Sequence, residues 1–354
     1  MTTYRGANVI VTGGLGFIGS NLAIRLVREG ANVTIIDPLL AGCGGNRQNV
    51  ASVASSLRII ECDVAEAVRF RDEIERAAVI FNLAGEISHI HSMEFPERDL
   101  QVNTLCQLRF LLECKQTHRG IRIVYAGTRQ VYGTPKYLPV DEGHPIDPVD
   151  FNGVHKYAAT MYHTMLSRTD DLDAVVIRLT NVYGPRMALD VTCQGFLSTY
   201  LRRVLLKQQL EIFGDGKQLR DPMYVDDAVD AFLLAGLVRR PPSRTYNAGG
   251  GAALSVAQIA ATVSRLGACA EPVFKPFPPD RKPIDIGSYR SDNRRIQRDL
   301  GWTPAVAFEE GFRRTLDFYK TELGHYIDLA DPAATCRMPE HSGASHRLAY
   351  VKVG

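Results

Sequence analysis

Along the first half of the chain, short runs of apolar residues alternate with longer stretches in which apolar positions recur every three or four residues. Residues 8–12, 32–37, 57–61, 79–83, 121–126 and 174–179 are the short runs, rich in Val and Ile, and are expected as strands. Residues 18–29, 65–77, 98–116 and 154–167 carry the helical spacing between them. Strands that are apolar on both faces, separated by helices, build a parallel sheet covered on its two sides. The fold class expected is α/β, a doubly wound parallel sheet that binds ligands at the carboxyl ends of its strands, near the switch point.

After Leu179 the rhythm changes. Residues 181–186 read as a turn-rich loop, 196–207 as a helix, and 210–213 as a short strand ended by Gly214-Asp215-Gly216. Residues 225–237 read as a helix returning to the sheet, and 245–247 as one more strand for it. The expected first domain is therefore 1–180 plus about 225–250, and a smaller C-terminal α/β domain takes about 181–224 plus 251–325. From 326 to 354 the helical periodicity is gone and Asp, Pro, Ser, Gly and His gather, so an irregular tail is expected.

Composition narrows the class without changing this picture. With 45% hydrophobic and 23% charged residues the chain reads as an ordinary globular protein. A net charge of +2, with basic pairs short and scattered, argues against a nucleic-acid partner. No apolar run approaches the roughly 18 residues of a membrane span. The start, Met1 to Arg5, runs straight into the first strand without room for a signal peptide. Seven cysteines without a CxxC fit reduced thiols in a cytoplasm. The histidines show no paired-ligand spacing, so no metal is expected.

The strongest chemical signal opens the chain. The first strand runs into Gly13-x-x-Gly16-x-x-Gly19 and then a helix, with Phe17 and Ile18 between the last two glycines. Such a turn brings backbone close to a pyrophosphate, and the helix N-terminus adds amide donors and a positive dipole. Asp37 closes the second strand, where an acid binds ribose hydroxyls and disfavours a 2′-phosphate, so NAD is expected over NADP.

Several further segments are similar to the extended short-chain dehydrogenase/reductase family, whose members act mostly on nucleotide sugars. They are the glycine turn, Cys62-Asp63-Val64, Asn82-Leu83-Ala84-Gly85, Tyr125 to Gly133, Arg178 to Arg186, Leu210 to Asp221, and Asp280 to Ile286. The resemblance covers about residues 5 to 325 and implies a Rossmann-type sheet, NAD, a nucleotide-diphosphate sugar as substrate, and a homodimer paired through helices 98–116 and 154–167. It implies that Asp63 and Val64 contact the adenine, that Leu83 and Ala84 pass close to the cofactor, and that Lys156 binds the nicotinamide ribose. Thr128 would bind the reacting sugar hydroxyl. Asn181, Arg220 and Arg281 would hold the diphosphate, with Phe213 a candidate for the base pocket.

One residue breaks the pattern. The family pairs a proton-transferring tyrosine with the lysine four residues on, and here Asn152 stands at that place before Lys156. An amide cannot take up a proton at neutral pH. Glu86, in the loop facing the nicotinamide, and His155, three residues after Asn152, are candidate acceptors, followed by His89 and His91. Asn152 itself can orient the hydroxyl or a relaying water. Where the 4,6-dehydratase branch carries Asp and Glu, this chain has Arg129 and Gln130, which counts against dehydration. The expected function is an NAD-dependent nucleotide-sugar epimerase acting at C4 through a transient keto-sugar. The alternatives are a nucleotide-sugar oxidoreductase or dehydratase, and a catalytically silent NAD- and sugar-nucleotide-binding protein.

Overall fold

The computed structural model describes residues 3–190, 195–279 and 281–328. Six strands come first, β1 (Asn8–Thr12), β2 (Asn32–Ile36), β3 (Leu57–Ile60), β4 (Val79–Asn82), β5 (Arg122–Thr128) and β6 (Asp173–Leu179). A seventh, β7 (Thr245–Ala248), joins after a long excursion. All neighbours are parallel, in the order β7-β6-β5-β4-β1-β2-β3. From β1 the chain winds outward through β2 and β3, then crosses back to β4 on the other side. The switch point therefore lies between β1 and β4, where Thr12 faces Asn82 across the ladder.

The strand residues make this sheet because both of its faces are buried. Val9, Val11 and Ile35 pack under Leu22 and Leu26 of the helix Phe17–Arg28 and Phe232 of the helix Val225–Leu237. On the other face Ile10, Ile80 and Ile123 meet Ile74, Phe110 and Leu166. A separate core gathers Leu197, Leu201, Ile212, Ile259, Val263, Phe312 and Tyr319. Three two-stranded ladders lie outside the main sheet. They pair Met223–Tyr224 with Val182–Tyr183, Leu254–Ser255 with Leu219–Arg220, and Val273–Lys275 with Glu211–Phe213.

Three helices depart from the spacing in ways that shape the site. The segment 65–77 splits into a 3-10 turn, Val64–Phe70, and a helix, Arg71–Arg76, because Phe70 turns fully into the core at the junction. The segment 98–116 is Pro96–Leu100, a π-helical turn Gln101–Leu105, and Cys106–Thr117. The wide turn carries Asn103 to the loop after β4, where its Nδ2 donates to Glu86 O at 3.1 Å. The helix Phe151–Arg168 starts three residues before the expected 154, because Asp150 caps it, Gly153 N donating to Asp150 Oδ1 at 2.6 Å. That early start puts Asn152 and Lys156 one turn apart on the same helix. The helices Val256–Leu266 and Phe308–Glu322 occupy stretches where the pattern had predicted no element. Almost all of the expected tail lies outside the described residues.

Candidate active site

A cleft of about 500 Å³ runs along the carboxyl ends of β1, β4, β5 and β6. At its floor the glycine turn is set by sterics. Gly13 has φ +65°, and a Cβ there would sit 2.8 Å from Leu83 O, against the turn after β4. At Gly19 a Cβ would fall 2.2 Å from Gly13 O, so only glycine lets the helix pack this close to the turn. Asp37 closes the far side. Its Oδ2 accepts from Leu15 N at 3.0 Å and its Oδ1 from Leu39 N at 2.9 Å, so the acid is tied to the turn's own backbone. Burial pushes the Asp37 carboxyl up, with the two backbone donors acting against that shift.

The turn after β4 is held by a side-chain network centred on Asn82, in which Gln107 is the member that the sequence did not single out. Asn82 Oδ1 accepts from Thr12 Oγ1 at 2.7 Å, and its Nδ2 donates to Gln107 Oε1 at 2.7 Å. Gln107 Nε2 donates in turn to Ala84 O at 3.0 Å. Leu83 and Ala84 are thereby fixed against the cleft. Asp63 Oδ1 accepts from Ala65 N at 2.7 Å and starts the 3-10 turn in which Val64 is buried, both residues lining the cleft.

Lys156 lies buried over the Tyr125 ring, its Nζ 5.5 Å from the centroid and close beside Gly85. Burial pulls its pKa down to about 8, with Asp99 and Glu86 acting in the opposite sense. Thr128 ends β5, and its Oγ1 accepts from Gln130 N at 3.2 Å. Asn152 Nδ2 donates to Glu86 O at 3.0 Å and to Asp99 Oδ2 at 2.9 Å. Both amide hydrogens are committed, which leaves Oδ1, an acceptor, for the cleft.

Asp99 is the centre that sequence reasoning missed. Fully buried, it also accepts from His155 Nδ1 at 2.7 Å on Oδ1. That contact engages His155, which does not line the cleft. Of the two leading acceptor candidates, only Glu86 lines the cleft. Its Oε1 accepts from Arg98 Nε at 2.6 Å and from Cys43 Sγ at 3.5 Å. Nothing in the local pattern around Asp99 or Arg98 marks them, because their partners lie on other elements.

At the sugar end, Arg129 Nη2 donates to Asn181 Oδ1 at 3.1 Å, and its guanidinium stacks 5.0 Å from the Tyr289 ring centroid. Burial lowers its pKa from the usual arginine value. Arg220 is fixed by Leu219 O at 2.8 Å and by Gly287 O, and burial together with the neighbouring Arg129 charge pulls its pKa down to about 10. Arg281 lines the same wall and lies 5.9 Å over the Phe213 ring. Phe213 itself stands one layer back, edge-on to Phe277, and Phe277 is the ring that faces the cleft. The three arginines form a guanidinium-rich wall suited to bidentate oxyanion binding.

A glycine cradle beneath a doubly wound sheet, an acid at the end of the second strand, and a buried lysine beside a threonine define a dinucleotide-dependent enzyme of the extended short-chain dehydrogenase/reductase kind. The chain belongs to the NAD dependent epimerase/dehydratase family, whose profile matches residues 9–249. It is 33% identical over 321 residues to a UDP-glucose 4-epimerase of Mycolicibacterium smegmatis, covering 88% of this chain and 98% of the relative. The crystal structure of a Thermotoga maritima UDP-glucose 4-epimerase with UDP-glucose superposes with a TM-score of 0.80 at 29% identity, covering 89% of this chain and 99% of that one. A dTDP-glucose 4,6-dehydratase of Streptomyces venezuelae, a double mutant with NAD bound, gives a TM-score of 0.80 at 26% identity, covering 90% and 98%. NAD is the cofactor of this family, and the Gly13–Gly19 cradle, Asp37 and Lys156 fit it. No helix among the described residues is long and apolar enough to cross a membrane.

Proposed function

We propose that the protein is an NAD-dependent nucleotide-sugar epimerase acting at C4 of the sugar, through a transient keto-sugar and with a proton acceptor other than tyrosine. One observation carries this reading. Thr128 and Lys156 share a cleft with the glycine cradle, while the two positions after Thr128 hold Arg129 and Gln130. Neither side chain can act as the acid that expels water, so the site is equipped for oxidation and return but not for elimination.

NAD, when bound, takes up and gives back a hydride. The protein's residues do the rest. Thr128 Oγ1 hydrogen-bonds the reacting hydroxyl, and Asn152 Oδ1 accepts from that hydroxyl or from an adjacent one. Lys156 Nζ binds the ribose of the cofactor. Asn181, Arg220 and Arg281 hold the diphosphate, leaving the sugar free to turn over between the two steps.

The test incubates the purified protein with a panel of UDP- and dTDP-sugars in deuterated water, without added NAD. The expected result is a C4 epimer with no deuterium on carbon. Net NADH formation favours an oxidoreductase, and loss of water favours a dehydratase. If no sugar is converted while NAD and sugar nucleotide both bind, the silent reading replaces this one.

A further inference from the structure

The missing phenol leaves the oxidation step without its usual proton acceptor. We propose that His89, oriented by Asp150, takes that proton, an inference that rests on the epimerase reading above. His89 opens the short helix His89–Glu94 just after β4 and lines the same cleft as Thr128, Asn152 and Lys156. Its side chain is 35% exposed, yet its Nδ1 is buried, 3.1 Å from Asp150 Oδ2. With Nδ1 given over to the protein, Nε2 is the ring nitrogen left for a bound ligand.

Asp150 is built to hold that ring. Its side chain is 1% exposed. Gly153 N donates to Oδ1 at 2.6 Å, and Gln130 Nε2 to Oδ2 at 3.0 Å, so the carboxylate cannot swing away. Burial acts against its charge, but the His89 ring, Gly153 N–H and the Gln130 amide outweigh burial and hold the carboxyl below its ordinary range. An ionised carboxylate at Nδ1 keeps the proton there and leaves Nε2 with a free lone pair, on a ring that lines the cleft. A base oriented by a third group is the arrangement that activates hydroxyls elsewhere in enzyme chemistry. The Nδ1–Oδ2 approach is close but off the hydrogen-bond line, and catalytic hydrogen bonds commonly align fully only in the Michaelis complex.

Of the other candidates, His91 does not line the cleft, and the rest are otherwise engaged. Glu86 shares its Oε1 with Arg98, an ion pair that protonation would break. His155 has its Nδ1 on Asp99 and does not line the cleft. Tyr125 is a phenol near Lys156, but it is fully buried and absent from the lining, and burial pushes its pKa upward. The charged groups lining the cleft with His89 include Glu86, Lys156 and Arg129, the arginines Arg220 and Arg281, and the acids Asp37, Asp63 and Asp285, with Asp150 at its Nδ1.

The step balances. As the C–H electron pair of the sugar carbon leaves as hydride for the oxidised nicotinamide, the O–H bond breaks and its proton passes to Nε2. The products are the ketone, reduced nicotinamide and an imidazolium whose charge Asp150 stabilises. The reverse step returns hydride to the other face of the carbon and the same proton to oxygen. His89 is then the catalytic residue and Asp150 a positioning residue.

Two measurements on the full chain test this. Nitrogen-15 NMR of histidine-labelled holoprotein is expected to show His89 as the Nδ1–H tautomer, and a mixture of tautomers in Asp150→Asn. A wild-type His89 in the Nε2–H form overturns the dyad whatever sugar is turned over. In turnover, His89→Ala is expected to lose at least about 100-fold in kcat with KM little changed, and added imidazole to restore part of it. Asp150→Asn is expected to move the acidic limb of the pH profile to lower pH, because the imidazolium loses its counter-charge. A His89→Ala enzyme within about threefold of wild type overturns the proposal. If the wild type oxidises a sugar without epimerising it, the C4 reading fails, and the His89 dependence of that oxidation still decides the acceptor.

Discussion

At the scale of single residues, the site is governed by buried polar groups with incomplete protein partners. Lys156 shows the consequence most directly. An ammonium taken from water into this cleft is disfavoured, which is why its pKa falls from 10.5 to about 8. Between those two values the unfolded chain binds more protons at this site than the folded one, so this group makes stability rise with pH across that window. Below pH 8 the penalty is fully present. Lys156→Met is therefore expected to stabilise the cofactor-free protein at pH 7, by at most about 3 kcal/mol from the size of the shift. The gain should shrink as pH is raised from 8 toward 10. Thermal melts at pH 7 and 9 read this directly, and NAD titration of the same variant should show weakened binding. A variant that melts below wild type at pH 7 would mean that the ammonium is already stabilised inside the apo cleft, which contradicts the direction of its shift.

At the scale of elements, what could be read in advance divides by how far apart the partners lie along the chain. Strand alternation, the Gly13–Gly19 turn, Asp37, Thr128 and Lys156 are local signals, each fixed by its own neighbours. The contacts that decide the site's chemistry are not local. Asn152 meets Asp99 and Glu86 across separations of 53 and 66 residues, and a pattern within one helix carries no trace of either. His155 illustrates the error this produces. Helical spacing put it near the face of Asn152, and both residues do meet the Asp99 carboxylate, but His155 is spent on that contact and does not line the cleft. The helix Val225–Leu237 depends on a long-range contact of the same kind. Asp227 Oδ1 and Oδ2 accept from Ala305 N at 2.9 Å and Val306 N at 3.1 Å, and Trp302 Nε1 donates to Asp227 O at 2.9 Å. Asp227→Ala leaves two backbone donors without acceptors and is expected to cost about 1–3 kcal/mol. Urea unfolding should show a lower midpoint at unchanged slope. An unchanged midpoint would mean that water replaces the carboxylate without loss.

At the scale of the whole molecule, one surface is more apolar than a solvated face requires. Phe151, Val154, Met161 and Met165 are exposed on the helix Phe151–Arg168 at spacings of three, seven and four residues, a single stripe along its length. Leu100 and Leu112 are exposed on the adjoining helical segments. A two-fold axis through this face uses each residue twice, so six side chains become twelve buried ones. At about 1 kcal/mol for each partial burial, that sum reaches the upper part of the roughly 4–15 kcal/mol that association costs. A homodimer is the expected state, with sedimentation equilibrium giving close to twice the 39.1 kDa chain mass. Met161→Lys combined with Met165→Lys places four ammonium groups in that face and is expected to yield monomer. The helix bearing the stripe also carries Asn152 and Lys156 on the cleft, so the interface and the site share one rigid element. The monomeric variant is therefore expected to bind NAD more weakly than wild type, although neither substituted residue lines the cleft. Wild-type sedimentation at the single-chain mass overturns the dimer. A monomeric variant with undiminished NAD affinity shows instead that the helix is held in place by its own sheet.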